Sequence, residues 1–356
     1  MAGKLAGPVD ECQAFAQTFA PVVTMRDVAH LAGVSITTVS HVVNGTRAVA
    51  DETRRRVLDA VAATGYTGNA IARSLVTGGT RSLGVAISLV ANPYFAELIH
   101  AIESEASRAG FTLILVDTHD QPEAEHAAVR ALRSRRVDGM LLTPSPGAAT
   151  TVLPELRQLG VPTVLVDRLP GSGLVDQVGP ENVGAMAALV EHLTELGHRR
   201  IGLVSGAAGL TTTSERVHGY RLGLHRSGLE LDEELMASGG SAVKPAEAAL
   251  RRLLTLPDPP TAVVAANNNM MVGVLHAARE LDVKVGVDLA VVGYDEVEWA
   301  DLVDPPLTTM AQPIAEIGRT AVRMLLSRIA DPDQPPRTVR LPARFMHRRS
   351  CGCTGP

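Results

Sequence analysis

The chain has 356 residues, 46% apolar and 20% charged, a composition that supports a sizeable core and two or three folded units. Its net charge of −5 excludes a uniformly basic nucleic-acid binder, but the charge is uneven: seven Arg stand against four acidic residues between Val22 and Arg81, and 25 basic against 32 acidic residues from Ser82 onward. No apolar run is long enough to cross a bilayer, and Asp10, Glu11 and Gln13 interrupt any signal-peptide pattern, so a cytoplasmic chain with no membrane partner is expected.

Residues 1–21 read as a disordered extension. Residues 22–66 read as three short helices. Val28 and Leu31 mark one helical face, and Gly33 supplies the left-handed geometry that ends a helix. Ser35 is an N-cap for the next helix, in which Val39, Val42 and Val43 face inward. The opposite stripe holds Ile36, Thr37, Ser40, His41 and Asn44, free of acids. Two helices with a glycine turn predict a helix-turn-helix, whose second helix fits a major groove. A third helix is predicted to follow Asp51 and end at Gly65. Residues 67–81 form a Gly-, Thr- and Ala-rich connector.

From Leu83 onward strands and helices alternate. Predicted strands start at Leu83, Thr112, Gly139, Thr163, Ile201, Ala262 and Ala290. Predicted helices cover 94–109, 122–136, 183–196, 214–227, 246–254 and 270–281, with a short one ending near Gly160. This beat predicts parallel sheets with helices on both faces, in two lobes around a ligand cleft. The fold class is therefore an all-α helix-turn-helix head on a two-lobed α/β core. The core spans 82–350: lobe 1 takes 82–181 and 314–341, lobe 2 takes 182–313 and 342–350, and 351–356 form a tail.

Three cysteines, Cys12, Cys351 and Cys353, all lie near the termini, which excludes a disulfide framework. The Cys-x-Cys pair is read as reduced thiols on a frayed tail, because a metal site draws its ligands from ordered segments; no metal or cofactor is expected. The chain has no Walker A sequence, no G-x-S-x-G elbow and no H-E-x-x-H. His126, His192 and His198 fall on helices or helix ends and are expected to face solvent, and no catalytic set is predicted.

The segments Val-Thr-Met-Arg-Asp-Val-Ala, Ala-Gly-Val-Ser, Thr-Val-Ser-His-Val-Val-Asn, Glu-Thr-Arg-Arg-Arg-Val and Gly-Tyr-x-x-Asn-x-x-Ala-Arg-Ser-Leu occur in order. With these the chain resembles the lac-repressor/galactose-repressor family of bacterial transcriptional regulators, over essentially everything beyond Val22. The resemblance implies a homodimeric repressor that binds a pseudo-palindromic operator on double-stranded DNA, under control of a small effector. By the same resemblance Ile36, Thr37 and His41 read bases. Ile36 and the Thr37 methyl suit a thymine methyl, and His41 a purine edge, although the family often has arginine there. Thr24, Thr38, Ser40, Asn44, Thr53, Tyr66 and Asn69 match phosphate-holding positions, and each is equally suited to a cap or turn. Leu75 matches a minor-groove wedge, with packing on the core lobe as the alternative.

The core resembles the family's periplasmic-binding-protein-like body. Asp167, Arg168, Arg216, Asn267 and Asp295 sit at or just beyond strand ends or match ligand-binding positions, and Phe95 and Trp299 offer apolar faces. Arg168 is also suited to an interlobe salt bridge, Phe95 to the core and Asp295 to a turn. A sugar-like effector is expected, with a nucleoside or purine as the alternative. A solute-binding protein without a DNA role is the further rival, and it leaves the helical head unexplained. Two departures from the family stand out: Asn268 replaces an acid, and Gly68 replaces a proline. Glycine at a helix start raises the entropy lost on ordering. Gly68→Pro should therefore tighten operator binding in a salt-controlled anisotropy titration; equal or weaker affinity would contradict the costly-hinge reading.

Overall fold

The computed structural model describes residues 23–66, 79–171 and 173–353, in two units that divide between Thr80 and Arg81. Asn69, Leu75 and Gly68 lie outside the described residues, as do the extension 1–21 and most of the connector. No helix among the described residues is long and apolar enough to cross a membrane.

The first unit holds α1 (Met25–Ala32), α2 (Ile36–Asn44) and α3 (Asp51–Thr64). Thr24 precedes α1, and its backbone N–H and hydroxyl both donate to Asp27 Oδ2 at 2.7 Å. Gly33 ends α1 at φ +63, a conformation that only glycine enters without Cβ strain. Ser35 Oγ accepts from Thr38 N at 3.1 Å and starts α2. Val28, Ala29, Ala32, Val39, Val57, Ala60 and Tyr66 form the core of the unit. The Arg56 guanidinium donates to the carbonyls of Ala32 and Gly33, satisfying acceptors that the end of α1 leaves open. Leu31 differs from the expected pattern: it is 57% exposed, because Ala29 and Ala32 complete the buried face with Val28.

In the second unit the strands form two sheets of six. The first contains β1 (Ser82–Ile87), β2 (Thr112–Asp117), β3 (Gly139–Leu142), β4 (Thr163–Val166), β5 (Asp176–Pro180) and β11 (Thr338–Leu341), in the order β11-β5-β4-β3-β1-β2. All its pairs are parallel. The second contains β6 (Ile201–Ser205), β7 (Met236–Ser238), β8 (Ala262–Ala265), β9 (Ala290–Tyr294), β10 (Thr308–Ala311) and β12 (Arg344–Met346), in the order β12-β10-β9-β8-β6-β7. It is parallel except where β12 runs against β10.

The alternation of side chains along each strand explains the layers. Leu83, Val85 and Ile87 point to one face, beneath α4 (Pro93–Arg108) and α11 (Ile314–Ala330). Ala86, Met140 and Leu142 point to the other, beneath α5 (Pro122–Ser134) and α6 (Val152–Gln158). Each fully buried Leu, Ile or Met contributes roughly 1.5–3 kcal/mol relative to exposure. The second lobe repeats the plan with α7 (Val183–Glu195), α8 (Thr211–Arg226), α9 (Val243–Leu254) and α10 (Asn268–Glu280) around one continuous core.

Strand–helix alternation predicts this architecture, but β5, β7, β10, β11, β12 and α11 are absent from the sequence pattern. The five strands have three to five residues each, several of them polar, too few to show a period. The C-terminal segment also departs from a frayed tail. Cys351 is fully buried in the second lobe, and Ser350 Oγ donates to Val291 O at 2.6 Å while accepting from Thr308 N at 2.8 Å.

Candidate DNA-reading helix and effector cleft

On α2 the side chains of Ile36 and Thr37 are exposed, and Ser40, His41 and Asn44 are half-buried along one stripe. His41 Nδ1 pairs with Thr46 Oγ1 at 2.9 Å, which holds the ring against the turn after α2. Asn44 Nδ2 donates to Ser40 Oγ at 3.2 Å, and Thr38 Oγ1 pairs with Ser35 Oγ at 2.9 Å. Thr53 is half-buried on the first turn of α3. Tyr66 is only 7% exposed and its bulk serves the head's core. Thr24 and Thr38 thus have local capping partners.

Both sheets of the second unit carry the order 2-1-3-4-5 among their first five strands, with the reversal between β1 and β3 and between β6 and β8. Open α/β sheets bind ligands past the strand carboxyl ends at such a reversal. Here those ends from both lobes line one cleft. The first lobe supplies Asn92, Tyr94, Phe95, Asp120, Asp167 and Arg168. The second supplies Arg216, Ser241, Asn267, Asn268 and Asp295, with Gln312 at the crossing between lobes. The cavity among them is about 50 Å³, room for one or two waters.

Asp167 directly follows β4 at φ +71 and Asp295 directly follows β9 at φ +78, both in the left-handed region that strains most non-glycine residues and that Asp tolerates better than most. Gly179 makes the first of these turns possible: a Cβ there would lie 2.7 Å from the Asp167 carbonyl oxygen. Tyr94 donates to Asp167 Oδ1 at 2.6 Å, and burial beside that carboxylate pushes its phenol well above the ordinary range. Burial also raises the Asp167 carboxyl, against the pull of Arg168 and the Tyr94 hydrogen bond.

Arg168 forms a bidentate pair with Asp120 and donates to Pro144 O at 3.1 Å. Its Nε is buried without a hydrogen-bond partner, 3.8 Å from Asp167 Oδ2, and its guanidinium lies 5.9 Å from the Phe95 ring centre. Arg216 donates to Asn182 Oδ1 at 3.0 Å and to Ala266 O at 2.7 Å, and stacks 3.8 Å from the Tyr294 ring centre. Burial works against its charge, but Asp295, 4.0 Å away, together with Tyr294, Asp167 and Tyr94 outweighs that cost and holds the guanidinium protonated.

Asp295 accepts from Asn268 N at 3.0 Å and from Gln312 Nε2 at 2.5 Å. Asn267 caps α10, accepting from Met270 N at 2.8 Å. Asn268 has a distinct task. Its Nδ2 donates to Asn92 Oδ1 at 2.7 Å and its Oδ1 accepts from Asn92 Nδ2 at 3.2 Å, across the two lobes. Tyr94 N also donates to Asn92 Oδ1, so that oxygen is fixed as an acceptor and needs a donor opposite. An amide meets this need and a carboxylate does not.

Phe95, Asp167, Arg168, Arg216, Asn267 and Asp295 therefore converge, and Trp299 does not. The loop after Asp295 folds back onto the second lobe, where Trp299 packs on the core beside a separate groove with Leu275, Val303 and Pro305. Asn92, Tyr94, Asp120 and Gln312 escaped the sequence reading. Asn92-Pro93 in the loop after the first strand, an N-cap with proline at N1, was the available signal for the first two. The histidines also differ from expectation. His192 packs edge-on against Phe345 and His347, His198 pairs with Thr261 Oγ1 at 2.9 Å, and His126 lies half-buried near Glu155.

Residues 24–69 match bacterial regulatory proteins of the lacI family, and residues 190–351 match a periplasmic binding protein-like domain. The chain is 36% identical over 329 residues to the HTH-type transcriptional repressor PurR of Mannheimia succiniciproducens, covering 92% of this chain and 98% of that one. The chain belongs to the lacI family. The ribose operon repressor of Escherichia coli is 34% identical over 327 residues, covering 92% and 99% of the two chains. The lac repressor dimer bound to operator and the anti-inducer ONPF superposes with a TM-score of 0.84 at 29% identity, covering 92% of this chain and 99% of that one. This lacI-family chain is accordingly a DNA-binding transcriptional repressor and not an enzyme.

Because the fold disfavours an ionised Asp167, wild-type stability falls as pH rises from the ordinary carboxylate value through the raised one. Asp167→Asn keeps an acceptor for Tyr94 and removes this cost. The variant should melt above wild type at neutral pH, with the gain shrinking as pH drops below the raised value; a pH-independent difference in a melting series would refute this.

Proposed function

We propose that this repressor acts in the cytoplasm as a homodimer on a pseudo-palindromic operator, and that its cleft takes a polyhydroxylated, sugar-like effector. In this reading residues 22–66 are the DNA-binding head, 67–81 the hinge and 82–350 the effector core. The observation that carries the effector reading is the cleft's set of buried, oriented polar groups. Asp167 and Asp295 offer acceptors, Asn267 offers both functions, and Arg168 Nε is a buried donor with no partner. Paired donors and acceptors suit vicinal hydroxyls. Phe95, with Leu89, Leu210 and Met270, adds apolar surface beside these polar groups. A purine, to which the name of the PurR relatives points, is the second reading.

A cavity of about 50 Å³ is far below the roughly 300–1,000 Å³ of ligand pockets, so an effector enters by parting the lobes and breaking the Asn92–Asn268 pair. That gives it the differential affinity for two lobe arrangements on which regulation depends.

Calorimetry with pentoses, hexoses and disaccharides against purine bases and nucleosides decides between the readings. A sugar should bind, and Asp295→Asn should weaken it roughly 10- to 150-fold, the worth of ~1.5–3 kcal/mol for a charged hydrogen bond. Binding of purines alone would transfer the site to the second reading. For the DNA face, fragment selection by the full chain should return a two-fold-symmetric motif. Replacing Thr37 or His41 with Ala should relax preference at one symmetric pair of positions, at roughly 1–3 kcal/mol per base contact. A variant with the wild-type motif would remove that residue from base reading.

A further inference from the structure

A second cluster of chemistry-bearing side chains lies in the second lobe, apart from the residues that line the cleft. His192 comes from the last turn of α7, His347 directly follows β12, and Cys351 sits in the C-terminal turn. One nitrogen from each imidazole and the Cys351 sulfur all lie within 4.8 Å of one another. His347 Nε2 and Cys351 Sγ are 3.6 Å apart. His192 Nε2 is buried with no hydrogen-bond partner, an uncommon state for a native ring nitrogen. Cys353 adds a second sulfur: both thiols approach the Arg348 carbonyl at 3.3 Å.

We propose that His192, His347 and Cys351 form a zinc site, with Cys353, whose sulfur shares the Arg348 carbonyl with Cys351, as a fourth donor. Two imidazoles and a thiolate are borderline-to-soft ligands, which select zinc over calcium or magnesium. Tetrahedral zinc places its ligand atoms roughly 3.3–3.8 Å apart, so the 3.6 Å pair already fits and the widest gap closes by about 1 Å. The exposed His347 ring is free to make that movement. Cys353 lines the open groove beside Trp299 and Pro305, which gives an ion its path inward. Binding replaces the thiol proton, which leaves to solvent, with the metal. The ion would tie α7, β12 and the C-terminal turn together.

The test uses the full chain, reduced and stripped with a chelator, titrated with Zn²⁺ against a chromogenic competitor and separately with Co²⁺. One equivalent per chain is expected, with a thiolate-to-cobalt charge-transfer band, tetrahedral d–d bands and a raised melting temperature. His347→Ala, a change at an exposed side chain, should weaken Zn²⁺ at least roughly tenfold while leaving the metal-free melt unchanged. Cys351→Ser should remove or shift the charge-transfer band. Absence of stoichiometric binding, or binding without a thiolate band, overturns the proposal. So does binding unaltered by His347→Ala, which decides the matter even where the buried Cys351 variant fails to fold.

Discussion

Arg216 cannot shed its charge at any physiological pH, so burying it obliges the surroundings to supply acceptors in fixed directions. The fold does so with the Asn182 amide, the Ala266 carbonyl, the face of Tyr294 and the carboxylate of Asp295. They come from three separate places: the crossing after β5, the end of β8, and β9 with its final turn. Asp295 in turn is held by Asn268 and Gln312, and Gln312 also accepts from Tyr94 of the first lobe. The cleft is thus one connected polar network. Removing a single member strands a partner in a low-dielectric space, which costs more than the bond itself contributes.

How much of this was legible follows from the range of each signal. A strand that ends in a polar residue announces itself locally, and Asp167, Asn267 and Asp295 all follow short, largely apolar strands. The α2 stripe was visible because helical periodicity is also local. Gln312 and Tyr94 owe their place to partners more than 70 residues away, and no window on the sequence contains both. Trp299 shows the opposite error: an aromatic close to a cleft residue in sequence, turned away by the loop that carries it. Cys351 looked terminal and proved central, because Ser350 and Cys351 pack against β9 and β10, two strands some forty to sixty residues earlier.

Asn268 illustrates how a departure from a family pattern gains meaning from geometry. As a sequence feature it is a missing negative charge. In the structure it is half of a reciprocal amide pair between lobes, and its partner's oxygen is committed to the N-terminus of α4. A neutral amide therefore holds the closed arrangement without adding charge beside Asp295.

The chain passes between the lobes three times, after β5, after β10 and after β11, so neither lobe is a continuous piece of sequence. The first sheet has one face covered by α11, whose Leu325 and Ile329 fill the space that the missing Cβ of Gly139 leaves. Synthesis runs from the N-terminus, so the ribosome must make the whole second sheet except β12 before this helix exists. Until then Leu83, Val85, Leu141 and Val164 lie on a face only partly protected by α4. The growing polypeptide therefore carries this apolar face incompletely covered until about residue 330 is made, by which point most of the second sheet has already been synthesised.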